Sequence, residues 1–185
     1  MSARWRAEFF ALAAAFAFAG CGSSALTAAN CDGGDPSCPT HCGRGIDSPP
    51  DEGRTHVPIG STVNYVANPP ASGNHYPVWW TPWGLTTQLV QREYWVHNLE
   101  HGGIVLLYNC PSGCTDVVDQ LVAIRNGTPP DQFNEQRILI TADGKMPHKV
   151  AALAWDWRWQ GDSVDAAAIN CFIKARYDHG LESIP

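Results

Sequence analysis

The sequence has few basic residues, and they do not form a run. Of its 185 residues, 12 are Lys or Arg and 18 are Asp or Glu, so the formal net charge is −6. Because phosphate binding requires clustered cations, this balance excludes a nucleic-acid surface. Methionine is equally scarce, with 2 residues including the initiator, which excludes a Met-rich copper carrier. The sequence also contains no G-x-S-x-G elbow and no Gly-rich phosphate loop, so it predicts neither a serine hydrolase of that kind nor a nucleotide site.

The first apolar run is too short to be an ordinary transmembrane helix. It covers residues 9–19 and would span about 16 Å as a helix, roughly half of a bilayer core. Arg4 and Arg6 precede it and small residues follow it. A charged start, a short apolar centre and a small-residue end are typical of an export signal, which we assign to residues 1–20.

Two processing routes fit the end of this segment. Ala17–Ala19 forms an A-x-A site, whose cleavage before Gly20 would release a secreted or periplasmic protein. Residues 18–21, Phe-Ala-Gly-Cys, resemble instead the bacterial lipoprotein box, in which Cys21 is lipidated and anchors the protein to the membrane, although Phe18 stands where that box usually has Leu. Of the 7 cysteines, lipidation of Cys21 leaves an even number, which favours the lipoprotein.

The remaining cysteines predict a disulfide framework, as expected of an exported chain. Three of them lie close together before residue 43, so at least one must pair with the later three. The sequence does not choose among the possible pairings. Cys110 and Cys114 have C-x-x-x-C spacing rather than the redox C-x-x-C spacing, which favours a structural disulfide between them. The six residues are Cys31, Cys38, Cys42, Cys171, and the close pair Cys110 and Cys114.

Hydrophobic patterning predicts an α+β domain over residues 56–185, preceded by a lipidated, Cys-rich tether and cystine loop over residues 21–55. In this domain two helices of the C-terminal half pack on a mixed sheet, with irregular Pro/Gly/Trp-rich loops between the elements. Alternation over 150–159 predicts one strand with three indoles on the same face. The other predicted strands are 61–66, 104–108 and 137–141, with 88–96 tending towards a strand; the helices run from Thr115 or Asp116 to Gly127 and from Asp162 or Ser163 to Tyr177.

The most informative segment is His97-Asn98-Leu99-Glu100-His101-Gly102-Gly103. It has the H-x-x-E-H pattern of inverted zinc proteases. On a helix two such histidines lie about 6 Å apart, whereas on a strand they lie about 13 Å apart and cannot share a metal. A metal site therefore requires the chain to turn between His97 and His101. The chain lacks the long helix and the large substrate-binding domains that the protease class requires.

A second segment, residues 68–77, presents His75 on a loop that prolines and a Ser-Gly turn hold rigid. Loops of this kind hold ligands and catalytic groups. A purely structural turn, with the histidine hydrogen-bonded to a carbonyl, is the alternative.

These two segments, PPASGNHYP (69–77) and VHNLEHGGIVLLYN (96–109), resemble the bacterial domain-of-unknown-function family 3105. The family carries PPxSGxHYP and HNLEHGG in this order with an HVP-like segment upstream, which here is His56-Val57-Pro58. Asn74 stands where the family usually has Pro. The resemblance covers about residues 54–177. It implies an exported or membrane-tethered bacterial protein and supplies no activity.

Four histidines in or beside these segments form the predicted metal site. Imidazoles from separate loops are typical ligands of zinc or copper. Glu100 is predicted as the general base if the site hydrolyses a substrate with metal-activated water. The predicted ligands are His56, His75, His97 and His101; His41, His148 and His179 are expected at the surface.

Two other functional classes stay open at this stage. The indoles of Trp79, Trp80 and Trp83 lie beside His75 in the sequence, and aromatic side chains can stack on flat ligands. The protein would then be a non-catalytic ligand-binding lipoprotein with structural histidines. A purely structural envelope module is the third class.

Overall fold

The computed structural model describes residues 31 and 35–184, and these form a mixed six-stranded sheet with three α-helices. This architecture confirms the predicted α+β class. The strands are β1 (Ile46–Asp47), β2 (Gly84–Leu85), β3 (Ile104–Tyr108), β4 (Ile138–Ala142), β5 (Val150–Ala154) and β6 (Trp157–Gly161). The helices are α1 (Arg92–Glu100), α2 (Thr115–Gly127) and α3 (Ala166–Arg176), and a 3-10 helix spans Pro39–Cys42.

The sheet has the order β1-β6-β5-β3-β4-β2. Its β3 runs parallel to β4 through the α2 crossover and antiparallel to β5, which forms a hairpin with β6. The central β3 is fully buried from Ile104 to Leu107 because both faces of the sheet are covered, as its continuous apolar run indicates. The predicted helices α2 and α3 contribute to the core on one face, and α1 contributes to the core on the other.

Disulfides connect the early cysteine segment to the folded domain. The pairs are Cys31–Cys38, Cys42–Cys171 and Cys110–Cys114. They confirm the predicted bond between the early and late cysteines, and they show the C-x-x-x-C pair as a disulfide. Strand β1 adds to the sheet by pairing with β6. The predicted export signal and Cys21 lie outside the described residues, and within those no helix is long and apolar enough to cross a membrane.

The strand predicted at 61–66 is wrong, because this segment is a loop. Carboxylates accept hydrogen bonds from its amide groups: Val63 N–H donates to Glu93 and Val66 N–H donates to Glu52. These side-chain acceptors replace the partners that a neighbouring strand would have supplied.

The tendency of 88–96 towards a strand is also wrong, since the chain enters α1 at Arg92. Trp95, Val96 and Leu99 are fully buried against the sheet. Their spacing places them on the inner side of a helix, and this burial outweighs the strand preference of aromatic and β-branched residues.

The single strand predicted over 150–159 is wrong as well, because β5 and β6 are separate strands. Asp156 stands at the turn between them with φ 60. Trp155 therefore packs in the core on the α1 side, while Trp157 and Trp159 pack in the core on the side of α2 and α3. The three indoles do not share a face.

Candidate metal centre

Two short parallel segments place His56 beside His75. Val57 N–H donates to His75 O at 2.8 Å, and His75 N–H donates to Thr55 O at 3.2 Å. The two imidazole centroids lie 5.0 Å apart. His75 is fully buried, whereas 49% of the His56 side chain is exposed, so His56 closes the solvent side of the pair.

Helix α1 supplies the turn that a shared site requires. His97 and Glu100 lie in its last turn and His101 caps it, with the rings of the two histidines stacked at 4.6 Å. Gly102 leaves the helix with φ +81, a conformation that favours glycine. At Gly103 a Cβ would lie 2.5 Å from the Trp83 ring, so only glycine fits there.

These two regions bring four of the predicted residues together. The potential ligand atoms of His56, His75, His97 and Glu100 all lie within 4.8 Å of one another. His75 Nε2 lies 3.0 Å from Glu100 Oε2, and His56 Nε2 lies 3.8 Å from the same oxygen. Donors of a tetrahedral zinc ion lie about 3.4 Å apart. The separations of 3.0 and 3.8 Å lie on either side of this value.

Backbone carbonyls orient the two buried imidazoles. His75 Nδ1 lies 2.7 Å from Gly73 O, and His97 Nδ1 lies 2.6 Å from Tyr76 O. Because a carbonyl only accepts hydrogen bonds, both Nδ1 atoms carry the proton. Nε2 of each ring is then the atom available to the cluster, and at His75 it shares a proton with Glu100 Oε2, 3.0 Å away, which a metal ion would displace. This is the arrangement by which proteins fix the tautomer of metal-ligating histidines.

The electrostatics of the cluster favour the ligating states of His97 and Glu100. Burial lowers the pKa of His97, and the neighbouring His75 and His56 lower it further, which outweighs the opposing bond to Tyr76. Burial alone would raise the pKa of Glu100, but the hydrogen bond from His75 and the surrounding histidines lower it overall. Neutral imidazole and ionised carboxylate are the forms that bind metals.

His101 lies beside this cluster rather than in it. Its potential ligand atoms group with those of Glu100 and Glu182, and its Nδ1 lies 3.8 Å from Glu182 Oε2. Burial lowers the pKa of His101 to about 4, with nearby His97 acting in the same direction. The predicted four-histidine set is thus divided between two adjacent groups that share Glu100.

A cavity of about 510 Å³ adjoins the histidines at Trp79. The edge of the Trp79 ring contacts His97 at 5.5 Å and His101 at 4.9 Å between centroids. Trp79, Trp83 and His101 line the cavity together with Arg125 and Arg137. A molecule in this cavity would reach the His101 side of the site.

The remaining histidines do not join the site. His41 groups with Cys42 and Cys171, but these cysteines form a disulfide and are not free to bind a metal. His148 forms a 3.2 Å contact with the exposed Asp162. His179 is exposed.

Sequence reasoning missed Glu182 and the carbonyls of Gly73 and Tyr76. Glu182 follows α3 in an irregular segment, and no local pattern marks it. Backbone carbonyls leave no trace in residue type, although the HYP sequence does place Tyr76 O one residue after His75.

Together, the fold and the site define an α+β domain that carries a buried histidine–carboxylate cluster between a helix end and a proline-rich loop. The chain belongs to the family described as Protein of unknown function (DUF3105), whose model matches residues 56–183. The resemblance inferred from the sequence is therefore confirmed, and the matched range contains every residue of the cluster. No curated protein and no solved structure matches the chain.

Proposed function

We propose that the protein binds one divalent metal ion, zinc or copper, through His56, His75, His97 and Glu100. The observation that carries this proposal is the orientation of His75 and His97. Both rings donate Nδ1–H to a backbone carbonyl, which leaves Nε2 of each ring as the atom available to the donor group that contains the Glu100 carboxylate. Lone pairs and a carboxylate that converge in a buried site require a cation between them.

A single proton would satisfy this cluster less well than a metal ion. Between His75 Nε2 and Glu100 Oε2, which are 3.0 Å apart, one proton would serve one pair. The rings of His56 and His97 lie at 4.9 Å from each other and would receive nothing from it. A second proton would place another positive charge in the cluster. Burial already lowers the pKa of His97 and so opposes its protonation. One metal ion serves all four donors at once, and three imidazoles with a carboxylate suit zinc or copper.

Metal content after reconstitution tests the proposal. The full mature chain, purified without a His tag, is stripped with a chelator, dialysed against Zn²⁺ or Cu²⁺ and freed of excess metal. Elemental analysis should then give retained metal in wild type, loss of the cluster's ion in His75→Ala and His97→Ala, and no change in the matched control His148→Ala. Full retention by both motif variants, with native circular dichroism, would overturn the proposal.

The role of Glu100 follows from the same measurement. We propose that it is a ligand, because it lies in the donor group and hydrogen-bonds His75. If Glu100 were instead the general base of a metal-assisted hydrolase, its replacement would leave the metal in place. Glu100→Gln should therefore lose metal; retention would favour the general-base role and hydrolysis.

The cavity beside Trp79 supports a second candidate function, the binding of a flat ligand without catalysis. Its volume of about 510 Å³ lies within the usual size range of small-molecule sites, roughly 300–1,000 Å³, and two indoles line it. Saturable quenching of Trp fluorescence by oligosaccharides or peptides in metal-free protein, lost in Trp79→Ala, would support this function. The same quenching in Trp79→Ala would exclude the cavity as the binding site of that ligand.

We further propose that the protein is exported and anchored to the membrane by a lipid on Cys21. The three disulfides support an oxidising compartment, and they use every cysteine except Cys21. In the native host, Cys21→Ala should leave the membrane fraction. Continued membrane attachment of that variant would contradict the lipid anchor.

A further inference from the structure

We propose that His101 and Glu182 form a second cation position beside the first, with Glu100 as the bridging carboxylate. This inference rests on the proposed function, because Glu100 belongs to both donor groups. The donors of the second group are Glu100, His101 and Glu182, whose potential ligand atoms lie within 4.8 Å of one another.

The unpartnered state of His101 is the first support. The residue is 5% exposed, and among the described residues neither of its ring nitrogens has a hydrogen-bond partner. A neutral imidazole has both a donor and an acceptor, and buried polar atoms of this kind are almost always satisfied. His75 and His97 differ, since each has its Nδ1–H bonded to a carbonyl. The ring of His101 therefore needs a partner that the described residues do not supply.

The position of Glu182 is the second support. Its Oε2 lies 3.8 Å from His101 Nδ1, which is too long for a hydrogen bond. Two donors at about 2.1 Å from a common ion lie 3.8 Å apart when they subtend about 130° at it. The gap therefore fits an intervening cation.

The backbone around Glu182 holds it at this place although its side chain is 53% exposed. Glu182 N–H donates to Glu100 O at 3.0 Å, and Asp178 N–H donates to Gly102 O at 3.0 Å. Gly180 lies so close to Gly102 that a Cβ there would be 2.1 Å from the Gly102 nitrogen. The C-terminal segment is thus fitted to the end of α1, and this fit brings a second carboxylate to the site.

The charge of the group also favours a cation. Glu100 and Glu182 contribute two carboxylates, while the nearest buried guanidinium, Arg137, is already paired with Asp131 and Asp178. Two-metal sites hold their ions about 3.5–4 Å apart with shared ligands, and the shared Glu100 fits this pattern. The cavity that His101 lines would give a substrate or an external ligand access to the second ion.

Zinc stoichiometry of the full, disulfide-intact chain tests the inference. Protein stripped of metal is titrated with Zn²⁺ alone by calorimetry, and bound zinc is measured after gel filtration. Wild type should bind two ions per chain and Glu182→Gln should bind one. Glu135→Gln removes the same charge from an exposed residue on the wall of the same cavity and should still bind two. Circular dichroism checks folding, and His101→Gln provides a second variant with the expected loss of one ion.

The outcomes separate this inference from the proposed function. One ion in wild type and one in Glu182→Gln would overturn the second position and leave the first. One ion in wild type that is lost in Glu182→Gln would overturn the two-position arrangement, as would two ions in both proteins. No bound zinc in wild type would overturn this inference together with a zinc form of the proposed function.

Discussion

Two buried polar clusters adjoin at the end of α1, and they differ in how completely their groups are paired. In the first, Arg137 is 2% exposed and donates to the carbonyls of His101 at 2.6 Å and Ile184 at 3.1 Å. The same guanidinium pairs with Asp131 and, at 2.5 Å, with Asp178. Its charge and most of its donors are satisfied within the protein, which is the pattern of a structural network.

The second cluster consists of His56, His75, His97 and Glu100, with His101 at its edge. Here the protein supplies acceptors for Nδ1 of His75 and His97, and His75 Nε2 faces the Glu100 carboxylate. Both ring nitrogens of the buried His101 lack a hydrogen-bond partner among the described residues. Burial and charge alone therefore do not identify a binding site. What identifies it is a buried polar group, here the ring of His101, that no described group of the protein pairs.

The largest expected effect comes from breaking the satisfied cluster. Arg137→Leu leaves Asp131, whose side chain is fully buried, without its cation, so we expect a loss of about 3–5 kcal/mol in the free energy of unfolding. Urea denaturation measures it. Arg158→Leu is the matched control, since Arg158 also pairs with an aspartate, Asp47, but one that is 47% exposed; its loss should be about 1 kcal/mol or less. Equal losses in the two variants would contradict the distinction.

Removing metal should destabilise the protein through the unsatisfied cluster. A bound ion at a free concentration of one hundred times its Kd adds about 2.7 kcal/mol to the free energy of unfolding. Thermal unfolding with and without a chelator should therefore show a clear fall in Tm for wild type and a smaller one for His97→Ala, which keeps only the second proposed position. An equal fall in both proteins would place the stabilising ion elsewhere.

The pH dependence of metal-free protein should show a smaller effect at His101. Its pKa is lowered from 6.5 to about 4, so below pH 6.5 the unfolded chain takes up the proton more readily than the folded one. Stability from this group is therefore present above pH 6.5 and lost as the pH falls towards 4. Buried Asp156, with a pKa raised to about 6, has the opposite sign.

For that reason the pH measurement compares wild type with His101→Gln, in which the contribution of Asp156 cancels. The free energy of unfolding of wild type minus that of the variant should decrease as the pH is lowered from 6.5 to 4.5. A difference that stays constant over this range would show that His101 has the same pKa in both states.

The smallest effect is expected at the histidines outside both clusters. His148→Ala and His179→Ala should each change the free energy of unfolding by about 0.5 kcal/mol or less, because His148 pairs only with an exposed aspartate and His179 is exposed. Their metal content should equal that of wild type. A loss of metal in either variant would extend the site beyond α1 and the two parallel segments.

The parts of the site that could be predicted from the sequence are those in which residue type carries the information. Histidines held by prolines, and the i, i+4 pair His97 and His101 before two glycines, indicated a site before any fold was known. The apolar run Ile104–Tyr108 likewise indicated a buried strand, and the even cysteine number indicated disulfides.

The rest depends on tertiary contacts. Residues 94–96 favour a strand by type, yet burial against the sheet makes them helical. Asp156 adopts a positive φ that is uncommon for a residue other than glycine, so the hairpin between β5 and β6 has no conventional turn sequence. Glu182 reaches His101 only because the chain after α3 returns to Gly102. No local pattern encodes that return.

The protonation of the histidine rings tests the central claim most directly. In long-range ¹H–¹⁵N spectra of metal-free protein with labelled histidines, His75 and His97 should carry their proton on Nδ1, as their carbonyl contacts require. Addition of Zn²⁺ should shift Nε2 of both residues and leave His148 unchanged. A proton that stays on Nε2 of His75 or His97 after zinc is bound, or Nε2 shifts that zinc leaves unchanged, would contradict a metal ion at this cluster.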